Sequence, residues 1–115
     1  MKRILLDASF VIEAVKSKVD IAQALGMVVP RSELAIPVVV FEEVEQNGTK
    51  LCVSMLEHLR PTILTTKSIT GDDALLESAK LGDYIATLDK ELKRRAKTKG
   101  IRVLTLRQRK YVEEV

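Results

Sequence analysis

Short apolar segments alternate with helical segments along the chain, and this alternation constrains the fold more than any other feature of the sequence. Brief apolar runs predict strands over residues 3–6, 34–37, 61–65, 84–88 and 101–106. Apolar residues at helical spacing predict helices over residues 10–15, 19–29, 38–46, 49–59, 72–81 and 90–99. Strands that take turns with helices in this way are typical of α/β proteins.

The connections predict how these strands pair. Because helices separate the strands and the loops are too short for antiparallel returns, we expect parallel pairing with helices on both faces. We therefore predict a three-layer α/β/α fold with a central parallel five-stranded sheet. The length of 115 residues suits one domain over residues 1–115. For the tail, residues 107–115, the pattern does not decide between a final short helix and an ordered extension.

The composition favours a cytoplasmic protein. Apolar residues make up 46% of the chain, which is enough for a core without disulfides. The single cysteine, Cys52, has no partner for an internal disulfide, and a lone thiol suits a reducing compartment. The first apolar run stops at Asp7, too early for a signal peptide or a membrane span. We therefore expect a soluble, cytoplasmic protein that does not enter a membrane.

Positive charge is concentrated in the last third of the chain. Ten lysines and arginines lie between Lys90 and Lys110, and they are opposed only by Glu91. Most of the acids lie elsewhere, so the formal net charge is only +3. This division is expected where a site that holds cations adjoins a surface that holds phosphates. A solvated helix face is the alternative, and charge alone does not decide between them.

Four acidic residues follow predicted strands, at the ends where parallel sheets gather their functional groups. They are Asp7, Glu43, Asp73 and Asp89. The alternative is that they cap separate helices, since Asp89 fits an N-cap and Thr70 with Asp73 resembles a capping box. Capping does not require the four to meet, whereas four carboxylates that meet repel one another unless cations neutralise them. We therefore favour a shared metal site over four separate caps.

The residue types also indicate which metal such a site holds. Oxygen ligands suit Mg²⁺ or Mn²⁺, whereas zinc prefers histidine and cysteine. Crowded carboxylates are expected to raise at least one pKa, and metal binding should then weaken in mild acid.

Helical spacing indicates which of two adjacent acids, Glu42 or Glu43, faces the site. Glu43 borders the apolar stripe of Val40 and Val44, whereas Glu42 lies on the opposite, wet side with Glu45. Glu43 is therefore the predicted site residue of this helix.

For the adjacent acids Asp72 and Asp73, helical spacing does not indicate which one faces the site. Asp72 shares a helix face with Leu75 and Ala79, and Asp73 lies near Glu77 and Lys80. The choice of Asp73 depends on the resemblance described next.

Four segments carry a family resemblance: LLDASF, IPVVVFEEVE, GDDALLESAKLG and YIATLDKELKRRAKTKGIRVLTL. In order and spacing they resemble the PIN-domain family over nearly the whole chain. The resemblance implies an endoribonuclease that depends on Mg²⁺ or Mn²⁺, hydrolyses RNA phosphodiesters without a protein nucleophile, and generally assembles as a homodimer.

The resemblance also implies roles for particular residues. An aspartate that ends the first strand matches Asp7, and the glutamate of the helix after the second strand matches Glu43. An aspartate before a small-apolar pair matches Asp73, and the motif after the fourth strand matches Thr87 and Asp89. Leu88 departs from that motif, because the family commonly has a polar residue there. The implied catalytic and metal-binding residues are Asp7, Glu43, Asp73 and Asp89, with Ser9, Thr87 and Asp72 as supporting residues.

The basic segment that follows Asp89 is expected to contact RNA. Lys90, Lys93 and Arg94 lie in its first turns and would flank the acids, so we expect them to contact phosphates. The only aromatic residues are two phenylalanines and two tyrosines, too few for a platform on which bases stack.

The sequence is compatible with several functions. Within the family, one is the toxin of a VapBC-type pair held inactive by an antitoxin protein, and another is a ribosomal-RNA processing nuclease that works with ribosome-assembly factors. A neighbouring antitoxin gene would separate the two. Outside nuclease chemistry, the chain could be a non-catalytic RNA-binding or assembly module whose acids only cap helices. A response-regulator-like domain is a weak alternative, because it needs an aspartate where this chain has Thr65, Thr66 and Lys67.

Overall fold

Six strands form one sheet in the computed structural model, which describes all 115 residues. The strands are β1 (Arg3–Leu6), β2 (Glu33–Pro37), β3 (Thr62–Leu64), β4 (Tyr84–Ala86), β5 (Arg102–Arg107) and β6 (Tyr111–Glu114). The helices are α1 (Ala8–Lys16), α2 (Ile21–Val28), α3 (Val38–Asn47), α4 (Lys50–Leu59), α5 (Gly71–Ser78) and α6 (Lys90–Thr98). The predicted α/β architecture, a mostly parallel sheet flanked by helices, is therefore confirmed. None of the helices combines the length and the apolar character needed to cross a bilayer.

The sheet order is β3-β2-β1-β4-β5-β6, and the first five strands are all parallel. The prediction of five strands is corrected to six, because the tail returns as β6 and pairs antiparallel with β5. Gln108 and Arg109 have positive φ values of 52° and 54°, and they form the tight turn between these two strands. The Lys110 N–H closes this turn by donating to the Arg107 carbonyl at 2.9 Å. A turn of this type is typically marked by Asn-Gly, so Gln-Arg gave no signal for it.

The two central strands are fully enclosed, as expected for strands covered on both faces. Ile4, Leu5 and Leu6 of β1 and Ile85 and Ala86 of β4 have no exposed surface. On the helical layers, α1 packs against α3 and α4, and α5 packs against α6. Burial of these apolar side chains is the main source of stability for the sheet.

The order of the strands places a crevice between β1 and β4. Strands β2 and β3 follow β1 on one side, whereas β4 and β5 lie on the other, so the connections change direction at this point. Leu6 pairs with Ala86 in the last register position of these two strands. Ligands of open α/β sheets bind beyond the carboxyl ends of strands at such a switch point. Asp7 and Thr87 follow directly after Leu6 and Ala86.

Capping residues show why the helices begin where they do. Asp7 caps α1 by accepting the Ala8 N–H. Asp89 caps α6 as predicted, and Thr70 caps α5 by accepting the Asp73 N–H at 3.3 Å. A short polar side chain at these positions pairs N–H groups that have no partner within the helix.

Candidate active site

Asp7 is the most enclosed acid at the crevice, with 5% of its surface exposed. Its Oδ1 accepts a hydrogen bond from the Ala8 N–H at 2.9 Å. Its Oδ2 accepts one from the Ser9 hydroxyl at 2.6 Å and one from the Thr87 hydroxyl at 2.5 Å. A carboxylate has about four lone-pair positions. These bonds therefore fix the orientation of Asp7 and leave it acceptor capacity toward the crevice.

The two hydroxyls that hold Asp7 are themselves held by the backbone after β4. The Leu88 N–H donates to Ser9 Oγ at 3.1 Å, and the Asp89 N–H donates to Thr87 Oγ1 at 3.0 Å. Each hydroxyl has one hydrogen, and both hydrogens are used on Asp7, so the 3.3 Å contact between the two oxygens is not a third hydrogen bond. The loop after β4 is therefore linked to the end of β1 through polar contacts. Leu88 takes part through its main chain, while its side chain packs on the core.

Glu43 approaches the crevice from α3 and is half-buried. Its carboxylate lies against the first residue of α5, so that a Cβ added at Gly71 would be 2.1 Å from Glu43 Oε1. Burial raises the pKa of Glu43, and the negative charges of Asp7 and Asp72 raise that pKa further, while a hydrogen bond from the Gly71 backbone lowers it. Glu43 is therefore brought close to two other acids, and it is the absence of a side chain at Gly71 that gives it room.

Asp72 joins this group of acids, and Asp73 does not. Asp72 is half-buried, and its pKa is raised by burial and by the charges of Asp7 and Asp89. Asp73, the residue expected from the family resemblance, is half-exposed and accepts a hydrogen bond from Arg95 Nη2 at 2.8 Å. Hydrogen bonds from Arg95 and Thr70 hold the pKa of Asp73 below its usual value.

The physical reason for this difference is helix geometry. Consecutive residues of an α-helix point roughly 100° apart. Asp72 lies on the side of α5 that carries the buried residues Leu75 and Leu76, so it points toward the sheet and the crevice. Asp73 is turned outward toward α6, and an arginine on that helix meets it.

Asp89 combines two roles that the sequence presented as alternatives. Its Oδ1 accepts the Leu92 N–H at 2.8 Å and caps α6. Its charge also raises the pKa of Asp72, so this exposed carboxylate lies near Asp72. Capping and membership of the acidic group are therefore compatible.

We call Asp7, Glu43, Asp72 and Asp89 the acidic cluster. Their oxygens are the ligands that a hard divalent cation prefers. Burial raises the pKa values of Glu43 and Asp72, and the charges of neighbouring acids raise them further. No three of these side chains lie close enough in their present positions to hold one ion together. The residue types of the cluster therefore suit a hard cation, and Asp7 is the member whose carboxylate is held in place by hydrogen bonds.

A group of lysines adjoins the cluster on α6. Lys90, Lys93 and Lys97 follow helical spacing on one face, which we call the lysine face, and none of them forms an ion pair. Partial burial lowers the pKa of Lys93, and the charges of Arg107, Lys90 and Lys97 lower it further. Crowded cations without counter-ions have the chemistry of a surface for polyanions.

Arg94 lies one helical turn after Lys90, but unlike the three lysines it forms an ion pair. Its guanidinium forms an ion pair with Glu91 one turn earlier, with Nε 3.1 Å from Glu91 Oε2. Two of the three residues expected to contact RNA are therefore unpaired, whereas the third, Arg94, is paired with Glu91.

Comparison with known proteins adds three findings. A family model described as PIN like domain matches residues 4–109 of the chain. Ribonuclease VapC9 of Archaeoglobus fulgidus is 41% identical over 69 residues, which cover 59% of this chain and 49% of that protein. The match thus spans about half the length of this relative. The solved structure of the PIN domain endonuclease Utp24 has a TM-score of 0.84 and 24% identity, and the match covers 98% of this chain and 92% of that one.

Proposed function

Because this chain belongs to the PIN like domain family, we propose that it is a divalent-metal-dependent endoribonuclease that hydrolyses RNA phosphodiester bonds. The observation that carries this proposal is the acidic cluster at the switch point between β1 and β4. The ribonuclease activity named for the relative that this chain resembles supports the same reading.

Mg²⁺ or Mn²⁺ is the proposed cofactor, held by Asp7, Glu43, Asp72 and Asp89. When bound, such a cation polarises a phosphate and lowers the pKa of a water molecule that attacks phosphorus. Asp7 provides the fixed carboxylate, because hydroxyls and a backbone N–H hold it on both oxygens. Glu43 and Asp72 supply charge from two different helices and lose their protons less readily than ordinary carboxyls.

Two hydroxyl residues are proposed to orient Asp7. Ser9 and Thr87 donate to Asp7 and accept N–H groups of the loop that leads to Asp89. They therefore couple the positions of two members of the cluster.

RNA is proposed to reach the cluster across the lysine face. Lys90, Lys93 and Lys97 offer unpaired positive charge beside Asp89, and contacts with phosphates would give affinity that depends on salt. Arg94 is proposed as a peripheral contributor, since an exposed ion pair such as that with Glu91 is weak and leaves its charge available.

The direct test is cleavage of a pool of structured RNAs by the purified protein with Mn²⁺ and with EDTA. Glu43→Gln is the test variant, and Glu42→Gln is the matched control, because Glu42 is the exposed neighbour on the same helix. We expect cutting that needs Mn²⁺, survives in the control and is lost in the test variant. A wild-type protein that neither cuts RNA nor binds Mn²⁺ in calorimetry would refute the proposal and favour a non-catalytic RNA-binding or assembly module.

The cellular role has two candidates, a VapBC-type toxin and a ribosomal-RNA processing nuclease. In the first, an antitoxin protein is the partner, and in the second the partners are ribosome-assembly factors. We propose that either acts in the cytoplasm and as a homodimer, which light scattering after gel filtration would test. An antitoxin gene beside the gene for this chain would select the first role, and co-sedimentation with precursor ribosomal particles would select the second.

A further inference from the structure

Arg95 is a cation that lies beside the acidic cluster. Its Nη2 donates to Asp73 Oδ1 at 2.8 Å, and this ion pair joins α6 to α5. Its positive charge also lowers the pKa of Asp72 against the effects of burial and the neighbouring acids. The guanidinium is therefore close to both acids, one inside the cluster and one outside it.

The guanidinium of Arg95 has hydrogen-bonding capacity left over. The bond to Asp73 uses one of its N–H groups, and the remaining donors have no partner within the chain. The side chain is 39% exposed, so these donors are accessible from solvent. Arginine presents them in a planar fork whose geometry matches two oxygens of one phosphate.

Arg95 also lines a polar cavity of about 620 Å³ between α5 and α6. Arg94 and Lys99 bring further positive charge to its wall, and Leu76 is the one hydrophobic lining residue. The carboxylate of Glu77, which also lines the cavity, is already occupied by hydrogen bonds from the loop at Lys67 and Ser68. A cavity with this lining suits a charged, hydrated ligand and not an apolar one.

The cavity and the lysine face lie on different sides of α6. Lys93 and Arg95 are two positions apart, a rotation of roughly 200°, so their side chains point to nearly opposite sides of the helix. Lys93 lies near Asp89, and Arg95 lies near Asp72. The acidic cluster thus has separate sources of positive charge on two sides.

We infer that Arg95 binds a phosphate group of the RNA strand adjacent to the bond that is cut, and that the strand continues from the acidic cluster into the cavity between α5 and α6. Asp73 is the positioning residue, because its ion pair holds the guanidinium at the rim of the cavity. The inference depends on the proposed function for the identity of the ligand as RNA.

Fluorescence anisotropy with a labelled single-stranded RNA tests this contact. Titrations are made with Ca²⁺ in place of Mn²⁺, and the length of the RNA is checked afterwards so that binding is separated from cleavage. Arg95→Gln removes the contact, and Arg95→Lys keeps the charge without the fork. Arg102→Gln is the matched control, because Arg102 forms an exposed ion pair with Glu114 at the opposite, amino end of β5.

The expected result is a loss of RNA affinity of roughly tenfold in Arg95→Gln, the scale of one charged hydrogen bond. The dependence of affinity on salt should also weaken, with a logarithmic slope smaller by about 0.7. Arg95→Lys should recover part of the affinity, and Arg102→Gln should stay within about twofold of wild type, as a distant surface charge does. Melting temperatures of all variants are measured in parallel, because a purely structural ion pair would change these without changing affinity.

Equal affinities for Arg95→Gln and Arg102→Gln would overturn the inference and leave Arg95 as a link between two helices. A wild-type protein that does not bind the RNA would overturn it as well. Failure of the proposed function has a different signature, which is no Mn²⁺-dependent cleavage while Arg95→Gln still weakens RNA binding.

Discussion

Asp72 and Asp73 are adjacent in the chain, yet their carboxylates have opposite surroundings. The first faces other acids and has a raised pKa, whereas the second is paired with Arg95 and has a lowered pKa. Their difference in environment provides a test of the acidic cluster that uses two substitutions of the same chemical type.

We predict that Asp72→Asn lowers Mn²⁺-dependent cleavage by at least about 100-fold, because it removes a charged ligand that neighbouring groups do not replace. Asp73→Asn should lower it by less than about tenfold, since only the positioning of Arg95 is affected. Initial rates of RNA cleavage at saturating Mn²⁺ measure both. A larger loss of cleavage rate in Asp73→Asn than in Asp72→Asn would indicate that Asp73, and not Asp72, is the metal ligand.

The raised pKa values of Glu43 and Asp72 have a consequence for stability. Their ordinary values are 4.5 and 3.8, and the folded protein holds these protons to higher pH than the unfolded chain does. The stability that these groups contribute is therefore fully present below the unfolded pKa, and it is lost as the pH rises through the folded pKa.

We therefore predict that Glu43→Gln becomes more stable than wild type as the pH rises from about 4 to 7, since the substituted amide carries no charge. Urea unfolding at several pH values, without divalent metal, measures the difference between the two proteins. Other carboxylates with lowered pKa cancel in this difference because both proteins contain them. Glu42→Gln should show no such trend, and a trend of the same size there would refute the explanation.

At the scale of elements, helix α5 begins with a glycine, and this leaves space for the Glu43 carboxylate. Gly71 is buried, and its missing side chain is the space that the Glu43 carboxylate occupies. The end of a flexible side chain can move away from a new methyl group, so the helix itself tolerates alanine here. The Glu43 carboxylate, however, cannot keep its present position beside an alanine at position 71.

We predict that Gly71→Ala folds with a stability within about 1 kcal/mol of wild type, since helix propensity favours alanine by that amount. Its affinity for Mn²⁺ should fall by roughly tenfold or more, because Glu43 is displaced. Gly26→Ala in α2 is the control, as a Cβ there meets no atom within 4 Å. Calorimetric titration of Mn²⁺ into both variants measures the effect, and unchanged affinity in Gly71→Ala would count against Glu43 as a ligand.

The last strand, β6, depends on its neighbour β5. β6 has one buried residue, Val112. The two acids that follow it form ion pairs with arginines of β5, Glu114 with Arg102 and Glu113 with Arg107. Without β5 these residues have no pattern that selects a strand. They form a strand because their backbone pairs with the edge strand β5.

For the whole molecule, the important feature is the separation of charge around one end of the sheet. The acidic cluster lies over β1 and β4, and the lysine face and Arg95 lie on two sides of α6. In the absence of cations, the acids repel one another and weaken the fold. A ligand that binds only the folded state adds stability in proportion to the logarithm of its concentration.

We predict that Mn²⁺ at about 100 times its dissociation constant stabilises the wild-type protein by about 2.7 kcal/mol. For a domain of this size that corresponds to a melting temperature higher by roughly 10 °C. Glu42→Gln should show the full increase, and Glu43→Gln should show less than half of it. Differential scanning calorimetry with Mn²⁺ and with EDTA makes the measurement, and equal increases in both variants would place the metal away from the cluster.

The sequence by itself determined the α/β architecture, five of the six strands and the ends of the strands where acids gather. These follow from local rules, because apolar period, capping side chains and short connections act within a few residues. Asp7, Glu43 and Asp89 were predicted as site residues in this way, because parallel pairing brings the carboxyl ends of strands to the same edge of the sheet. The spacing of Asp72 with Leu75 also pointed inward, but the family resemblance favoured its neighbour.

Only the tertiary structure decided which carboxylates meet, that Glu43 lies against Gly71, that Arg95 lies near Asp72, and that the tail forms β6. Each of these depends on contacts between segments far apart in the chain, such as Glu43 with Gly71 and Asp73 with Arg95. A side chain's direction within its own helix is a local property, whereas the partner it meets is set by how helices pack on the sheet. That packing sums many weak contacts, and no short pattern of residues encodes it.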